Sequence, residues 1–285
     1  MADRKLMVHD FYRMKEAGEK VAWLTSYDYP TAQLAEAAGI DMLLVGDSLG
    51  MCVYGYTSTV PVTMDQCIVH SEAVRRGAPN TFVIGDMPFL SYQTTAAEAV
   101  LNAGRFLKEA GMDAVKLEGG TRVAGQIQAI TDAGMVVMGH IGLTPQSSGQ
   151  LGGHKAQGRT AESAKVLVDD ALAVEKAGAR MLLVEAVPPE VTRYIVEKLS
   201  IPVYSIGAGP YCDGQVLIVS DMIGLFQAFT PKFVRRYGNV AEVMAKAMAD
   251  YCEDVRAGRF PAKEHCYPMI QGEHDRFLDL MKKSG

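Results

Sequence analysis

The feature that most constrains the fold of this chain is a repeated unit, in which a helical stretch, a glycine and a short apolar run follow one another. Four copies align by eye and end at an ionisable residue: Ala38-Gly39 with DMLLVGD, Ala110-Gly111 with MDAVKLEG, Ala133-Gly134 with MVVMGH, and Ala177-Gly178 with ARMLLVEA. Glycine suits the end of a helix because it adopts the left-handed conformation without steric cost. The apolar runs lack polar alternation, which is typical of parallel strands covered on both faces.

Extension of the pattern predicts eight strands, at 21–27, 42–46, 81–85, 114–118, 135–139, 181–185, 202–206 and 215–220. Helical patterns are predicted at 31–38, 64–76, 95–110, 121–133, 160–177, 189–199 and 240–256. Eight strands that alternate with helices predict an α/β fold, a (β/α)8 TIM barrel, with a doubly wound open sheet as the alternative. We expect one domain over 1–285, with an extra N-terminal helix at 8–18 inside an extension (1–20), and a C-terminal tail at 270–285.

Composition excludes several classes of protein. The 28 Lys and Arg residues against 33 Asp and Glu give a formal charge of −5, which argues against a nucleic-acid partner. No apolar run approaches the length of a membrane span, and the acidic first twenty residues do not resemble a signal peptide. The five cysteines form an odd set without C-x-x-C spacing, which favours reduced thiols. We therefore expect a soluble cytoplasmic protein without a membrane partner.

Acidic residues stand where the predicted strands end. In barrel enzymes the chemistry lies at the carboxyl ends of the strands, and here these ends carry Asp47, Asp86, Glu118 and Glu185. Converging carboxylates raise one another's pKa unless a cation compensates them. No His or Cys cluster accompanies them, so the pattern favours Mg²⁺ over zinc.

Other ionisable residues at strand ends are less specific. Asp28 and Asp221 are interpreted as helix caps, and His140 fits a buried structural histidine as well as a catalyst. Lys116 lies two residues before Glu118 on one strand, so both side chains point to the same face. If that face is the barrel interior, Lys116 could attract an acidic substrate that the carboxylates alone would repel.

Two motifs in the sequence indicate other functions, but each lacks a feature that its function needs. The segment GDSLG around Ser48 matches the nucleophile elbow of hydrolases, but no downstream histidine has a clear triad context. The segment GAGPYC at 207–212 lacks the third glycine of a dinucleotide-binding loop. The long polar stretch 142–160 is typical of a lid or a binding loop.

Six ordered blocks closely resemble the ketopantoate hydroxymethyltransferase family: LTSYDYPTAQLAEAAGIDMLLVGDSLGM, VIGDMPF, VKLEGG, GHIGLTPQS, VEAVP and SIGAGPYCDGQVLIVSD. The resemblance runs from about residue 8 to 269. It implies a barrel of the phosphoenolpyruvate/pyruvate type. It also implies transfer of a one-carbon unit from 5,10-methylenetetrahydrofolate to the oxo acid 2-oxoisovalerate, which yields ketopantoate for pantothenate and coenzyme A synthesis.

The resemblance also implies roles for six residues. Asp47 and Asp86 are the expected direct ligands of one Mg²⁺ per subunit and contact substrate through it, and Glu118 is the third acid of the metal site. Ser48 and Lys116 are expected to hold the oxo acid, and Glu185 to accept a proton. A homo-oligomer, commonly a decamer in this family, is a further implication.

Two alternatives stay open from the sequence. A metal-dependent carbon–carbon lyase of the same barrel type would share the carboxylates and the metal ion. A non-catalytic barrel that binds a small acid or serves as a scaffold belongs to a different class.

Overall fold

The computed structural model describes residues 4–284 and contains the predicted (β/α)8 barrel. Eight parallel strands form it: β1 (Val21–Thr25), β2 (Met42–Val45), β3 (Phe82–Asp86), β4 (Ala114–Glu118), β5 (Val137–Gly142), β6 (Met181–Glu185), β7 (Val203–Ile206) and β8 (Gly214–Leu217). Each strand pairs with the next, and β8 pairs with β1 in parallel register. The sheet is therefore closed, and the open-sheet alternative is wrong.

Ten helices accompany the strands in residues 4–237: α1 (Val8–Ala17), α2 (Tyr29–Ala37), α3 (Leu49–Cys52), α4 (Met64–Gly77), α5 (Ala96–Lys108), α6 (Ala124–Asp132), α7 (Ser148–Leu151), α8 (Ala161–Lys176), α9 (Pro189–Lys198) and α10 (Val219–Met222). Short 3₁₀ segments at Thr121–Val123 and Pro145–Ser147 precede α6 and α7. Asp28 caps α2 as expected, since its side chain accepts from the Thr31 amide, and the Thr160 side chain caps α8 by accepting from the Ser163 amide. No helix lies between β7 and β8, as the short Gly-rich connection predicts.

Side chains fill the interior of the barrel, and α1 closes its amino-terminal end. Trp23 and Tyr204 meet edge to face inside the barrel, with ring centroids 5.5 Å apart. Phe11 of α1 is fully buried and packs against Phe82, at the start of β3, with centroids 5.1 Å apart. The interior is thus a packed core at this end, and the large cavity of the barrel lies toward the carboxyl ends of the strands.

Glycines let two helices pack closely on the sheet. A Cβ on Gly85 in β3 would overlap the ring of Phe106 in α5, and one on Gly139 in β5 would overlap Val174 in α8. Phe106 and Val174 are both fully buried. These two contacts fix the depth at which α5 and α8 cover the strands that carry Asp86 and His140.

The predicted ends of three strands need correction. The fifth strand, predicted at 135–139, lies at Val137–Gly142, because its pairing with β4 starts at Val115 and Val137 and continues through His140. The eighth strand ends at Leu217 rather than at 220, because the chain turns into α10, whose Val219 amide donates to Thr25 Oγ1 at 3.0 Å. The first strand ends at Thr25, two residues early, because Asp28 caps α2.

The chain separates into two compact units, and the barrel lies entirely in the first, which runs to Tyr237. The second unit starts at Gly238 and contains α11 (Val240–Arg256), a 3₁₀ turn at Lys263–His265 and α12 (Glu273–Lys283). The sequence predicted α11 but gave no signal for α12. One domain over 1–285 stays a prediction. All five cysteines are free, and no helix within 4–284 has the length and apolarity needed to cross a membrane.

Candidate active site

The candidate site residues extend the interior face of the strands toward their carboxyl ends. Because side chains alternate along a strand, Ile84 and Asp86 share the interior face of β3, and Ala114, Lys116 and Glu118 share that of β4. Adjacent registers place Asp86 beside Lys116 and Glu118 beside His140. The apolar interior therefore gives way to a ring of polar side chains, and the face that Lys116 and Glu118 share is the barrel interior.

Lys116 lies at the centre of this ring. Its Nζ is 2.8 Å from Asp86 Oδ1, 3.6 Å from Glu118 Oε1 and 3.3 Å from His140 Nδ1. His140 continues the chain of contacts, because its Nε2 is 3.3 Å from Glu185 Oε2. Asp86, Lys116, Glu118 and His140 are each at least 95% buried, whereas the Glu185 side chain is 14% exposed. Four strands thus contribute to one connected polar cluster.

Asp47 joins the cluster from the end of β2. Its backbone amide donates to Asp86 Oδ2 at 2.9 Å, so the two aspartates are immediate neighbours. Its own Oδ2 accepts from Gln146 Nε2, also at 2.9 Å. The next residue, Ser48, has its Oγ 2.8 Å from the Tyr27 hydroxyl and lines the same cavity.

Burial dominates the electrostatics of the four acids. It raises the pKa of Asp86 well above its usual range and also raises the pKa of Asp47, Glu118 and Glu185, against the opposing charge of Lys116. Burial alone would lower the pKa of Lys116, but the neighbouring carboxylates outweigh it and raise that pKa above normal. One ammonium group does not balance these acids, so ionising all of them is unfavourable without a further cation.

The donor set fits a magnesium ion held by two carboxylates. Asp86 Oδ1 is buried and accepts no well-directed hydrogen bond from the described residues, although Lys116 Nζ is close. Within 4–284 no three His, Cys, Asp or Glu side chains form a ready-made metal cage. Mg²⁺ does not need one, since it is usually held by one or two carboxylates together with waters and substrate oxygens. Asp47 and Asp86 meet that requirement.

The cluster forms the floor of a cavity of about 1040 Å³. Its outer wall is apolar and aromatic, with Phe226, Phe229 and Phe233. The cations Lys155, Arg159 and Lys232 also line it and are exposed. The cavity therefore has an acidic, metal-compatible floor and a wall suited to a larger, partly aromatic and anionic molecule.

The structure brings all six residues singled out from the sequence to this cavity: Asp47, Ser48, Asp86, Lys116, Glu118 and Glu185. His140, which the sequence left open, lies among them, between Lys116 and Glu185. Asp28 is a helix cap, and Asp221 lies in the first turn of α10 and also lines the cavity.

Sequence reasoning missed Gln146 and Tyr92. Both are buried, and the Tyr92 hydroxyl donates to Gln146 Oε1 at 2.7 Å. The only available signal for Gln146 was its place in the long loop after β5, and Tyr92 had none.

The fold is similar to that of several solved (β/α)8 barrels. A phosphonopyruvate hydrolase in complex with oxalate and Mg²⁺ has a TM-score of 0.60 at 14% identity, with 98% of each chain covered. A 2,3-dimethylmalate lyase described as a member of the PEP mutase/isocitrate lyase superfamily has a TM-score of 0.58 at 16% identity, over 98% of this chain and 99% of its own. The molecule therefore shares the (β/α)8 fold of these enzymes, and its polar cluster lies at the carboxyl ends of the strands.

Sequence comparison is more specific. The family model for ketopantoate hydroxymethyltransferase matches residues 5–263. A 3-methyl-2-oxobutanoate hydroxymethyltransferase of Alkaliphilus metalliredigens (strain QYMF) is 62% identical, over 95% of this chain and 96% of its own. One from Syntrophomonas wolfei is 53% identical, over 92% and 95%. The chain belongs to the ketopantoate hydroxymethyltransferase family, and the sequence-based assignment to an enzyme of this family is confirmed.

Proposed function

We propose that this enzyme transfers a hydroxymethyl group from 5,10-methylenetetrahydrofolate to 2-oxoisovalerate and so makes ketopantoate for pantothenate and coenzyme A synthesis. The observation that carries the proposal is the buried cluster of Asp47, Asp86, Glu118 and Glu185 around Lys116, on the floor of a large cavity. The small oxo acid would occupy only that floor. The remaining volume, with its aromatic wall, suits the folate.

Asp47 and Asp86 would hold a single Mg²⁺, with Glu118 beside them. When bound, this ion supplies Lewis-acid polarisation of the ketone and lowers the cost of removing the adjacent proton. Lys116 and the Ser48 hydroxyl would orient the carboxylate and ketone of the oxo acid. The Lys116 ammonium group would stabilise the negative charge that develops on the ketone oxygen.

Glu185 would take the proton from the carbon next to the ketone. Its raised pKa, which results from burial, makes its carboxylate a stronger base than an exposed one. His140 Nε2 lies 3.3 Å from Glu185 Oε2 and is the nearest polar neighbour of that carboxyl group along the strands. The enolate carbon would then form a bond to the methylene carbon of the folate, both carbon–nitrogen bonds of that methylene group would break, and water would supply the hydroxyl oxygen. The proton taken by Glu185 and one proton of the water end on the two folate nitrogens, so that tetrahydrofolate leaves.

The test is an assay on the purified protein with 2-oxoisovalerate, 5,10-methylenetetrahydrofolate and Mg²⁺, in which ketopantoate is measured by mass spectrometry. We expect product only when all three are present, loss of turnover with a chelator, and recovery when Mg²⁺ is restored. Metal-dependent cleavage of the oxo acid without folate would instead indicate a lyase. Neither metal binding nor turnover would favour a binding or scaffold role.

We also propose assembly as a homo-oligomer, a decamer by resemblance to the family. Sedimentation velocity of the purified protein would show the subunit number directly.

A further inference from the structure

Gln146 is the residue through which the loop after β5 contacts the carboxylates on the cavity floor. It is 5% exposed and stands in the 3₁₀ turn Pro145–Ser147. Its side-chain amide donates to Asp47 Oδ2 at 2.9 Å, and its backbone amide donates to Glu118 Oε2 at 3.1 Å. One residue thus binds two acids that come from different strands.

The side chain of Gln146 has its full set of hydrogen bonds. Its Nε2 also donates to the Met87 carbonyl at 3.0 Å, and its Oε1 accepts from the Tyr92 hydroxyl at 2.7 Å and from Gln93 Nε2 at 3.1 Å. A primary amide has two donors and can accept two hydrogen bonds, so no capacity is left over. A buried network that is satisfied in this way has one orientation.

Tyr92, which holds the Gln146 amide, is itself bonded to the backbone of the barrel strand β4. The Tyr92 hydroxyl accepts from the Glu118 backbone amide at 3.0 Å and lies 3.1 Å from the Glu118 carbonyl. The orientation of the Gln146 amide is therefore tied to the carboxyl end of β4. Movement of Asp47 Oδ2 away from Gln146 would leave a buried N–H without a partner, which is unfavourable.

We propose that Gln146 is a positioning residue that engages Asp47 Oδ2 and Glu118 Oε2, so that Asp47 offers its other oxygen, Oδ1, to the magnesium ion. This inference rests on the proposed function, because it assumes that Asp47 is a metal ligand. Gln146 itself touches neither the ion nor the substrate in this role. Residues that orient ligands in this way typically change metal affinity on the order of 10–100-fold when they are replaced.

The decisive variant is Gln146→Met, which keeps the length of the side chain and removes both of its donors. Tyr92→Phe is the milder companion, since it removes only the hydroxyl that orients the amide. Gln150→Met is the matched control, because Gln150 lies in the same loop, is exposed and bonds to Arg122. The readout is the dissociation constant for Mn²⁺ without substrate, measured by electron paramagnetic resonance, together with kcat at limiting and saturating Mg²⁺.

We expect Gln146→Met to weaken Mn²⁺ binding at least tenfold and Tyr92→Phe at least threefold, with Gln150→Met unchanged. Saturating Mg²⁺ should restore most of the kcat of Gln146→Met, whereas a purely structural defect would lower the melting temperature without this rescue. The proposal would be overturned if Gln146→Met folds and its dissociation constant for Mn²⁺ rises by less than tenfold over wild type. If Gln146→Met fails to fold, a rise of less than threefold in the Mn²⁺ dissociation constant of Tyr92→Phe would also overturn the proposal. Absence of Mn²⁺ binding to the wild-type protein would overturn the metal chemistry itself and this role with it.

Discussion

Glu185 differs from Asp86 and Glu118 in that His140, and not the Lys116 ammonium group, lies against its carboxylate. Burial, followed by the positive charge of Lys116, lowers the pKa of His140, so its imidazole is neutral near pH 7. A neutral imidazole can donate one hydrogen bond to Glu185 without cancelling its charge. This pairing keeps Glu185 basic, whereas an adjacent ammonium group would make it a weaker base.

Replacement of Glu185 tests this reading. We expect Glu185→Gln to lower kcat by about 10²–10⁴-fold, the usual contribution of a positioned general base, while the KM for the oxo acid changes little. Steady-state kinetics with both substrates would measure this. Glu190→Gln, an exposed acid at the start of α9, is the control and should behave as wild type. A loss of tenfold or less would make Glu185 a positioning residue.

Asp221 is a second test at the residue scale, because burial raises its pKa to about 6. A carboxyl group whose pKa is raised on folding binds its proton more tightly in the folded state. Stability is therefore greatest below about pH 4 for this group and falls as the pH rises to about 6, by at most about 3 kcal/mol.

Asp221→Asn should remove this dependence, so that its free energy of unfolding exceeds that of wild type at pH 7 and the difference shrinks at pH 4. Urea unfolding at several pH values would show it. Asp132→Asn, at an exposed position in α6, is the control. An unchanged difference between pH 4 and pH 7 would contradict the role of Asp221.

The sequence located the acids but not the groups that hold them. Asp86, Glu118 and Glu185 end apolar runs, so their place at strand ends follows from chain order alone. Gln146 and Tyr92 reach the same cluster from loops, whose path depends on tertiary contacts that no local pattern encodes. The sequence therefore predicted the site residues at strand ends, where the alternation of side chains along a strand sets the direction in which they point. It did not predict site residues in loops that fold back over the barrel.

At the scale of elements, the spacing between α5 and β3 depends on Gly85. An added Cβ there would lie 2.8 Å from Cγ and Cε1 of Phe106 and closer still to Cδ1. Phe106 is fully buried and cannot turn away. The distance between α5 and β3, the strand that carries Asp86, therefore depends on the lack of a side chain at Gly85.

Gly85→Ala should lower the free energy of unfolding by about 1–3 kcal/mol, the usual cost of overpacking. Phe106→Leu in the same background should recover part of the loss. Gly104→Ala on α5 is the matched control, because nothing lies within 4 Å of its added Cβ, and it should gain about 0.5–1 kcal/mol. Chemical denaturation measures all three variants, and equal stability of Gly85→Ala and wild type would contradict the close contact.

Element boundaries show what the sequence determines at this scale. The pattern of Gly and apolar runs predicted every strand, but β5 extends to Gly142 because its pairing with β6, through Gly142↔Glu185, sets its end and composition does not. The helix α12 (Glu273–Lys283) was missed although Phe277, Leu278, Leu280 and Met281 recur at helical spacing, because it lies outside the repeated unit of helix, glycine and strand. Local pattern predicts the existence of an element, and pairing with its neighbours sets its limits.

At the scale of the whole molecule, closure was predictable from the count of strands. Eight parallel strands with helical connections have a barrel as a favoured arrangement, and the β1–β8 pairing from Val21↔Gly214 to Leu24↔Leu217 completes it. The large cavity was less predictable, since its walls combine loops from distant parts of the chain. Among its outer residues, Lys155 belongs to the stretch 142–160, which the sequence indicated as a lid or a binding loop, whereas Lys232 had no signal in the sequence.

Closure by β1 and β8 also has a consequence during synthesis on the ribosome. β1 ends at Thr25 and β8 begins at Gly214, so the ribosome synthesises about 190 residues between these two paired strands. At about 5–20 residues per second, this interval is on the order of 10–40 s. During this interval the backbone N–H and C=O groups on one edge of β1 have no partner strand, and such an edge can pair with another chain. We expect the nascent polypeptide to be most prone to aggregation just before β8 leaves the exit tunnel, and chaperone binding to matter most at that moment.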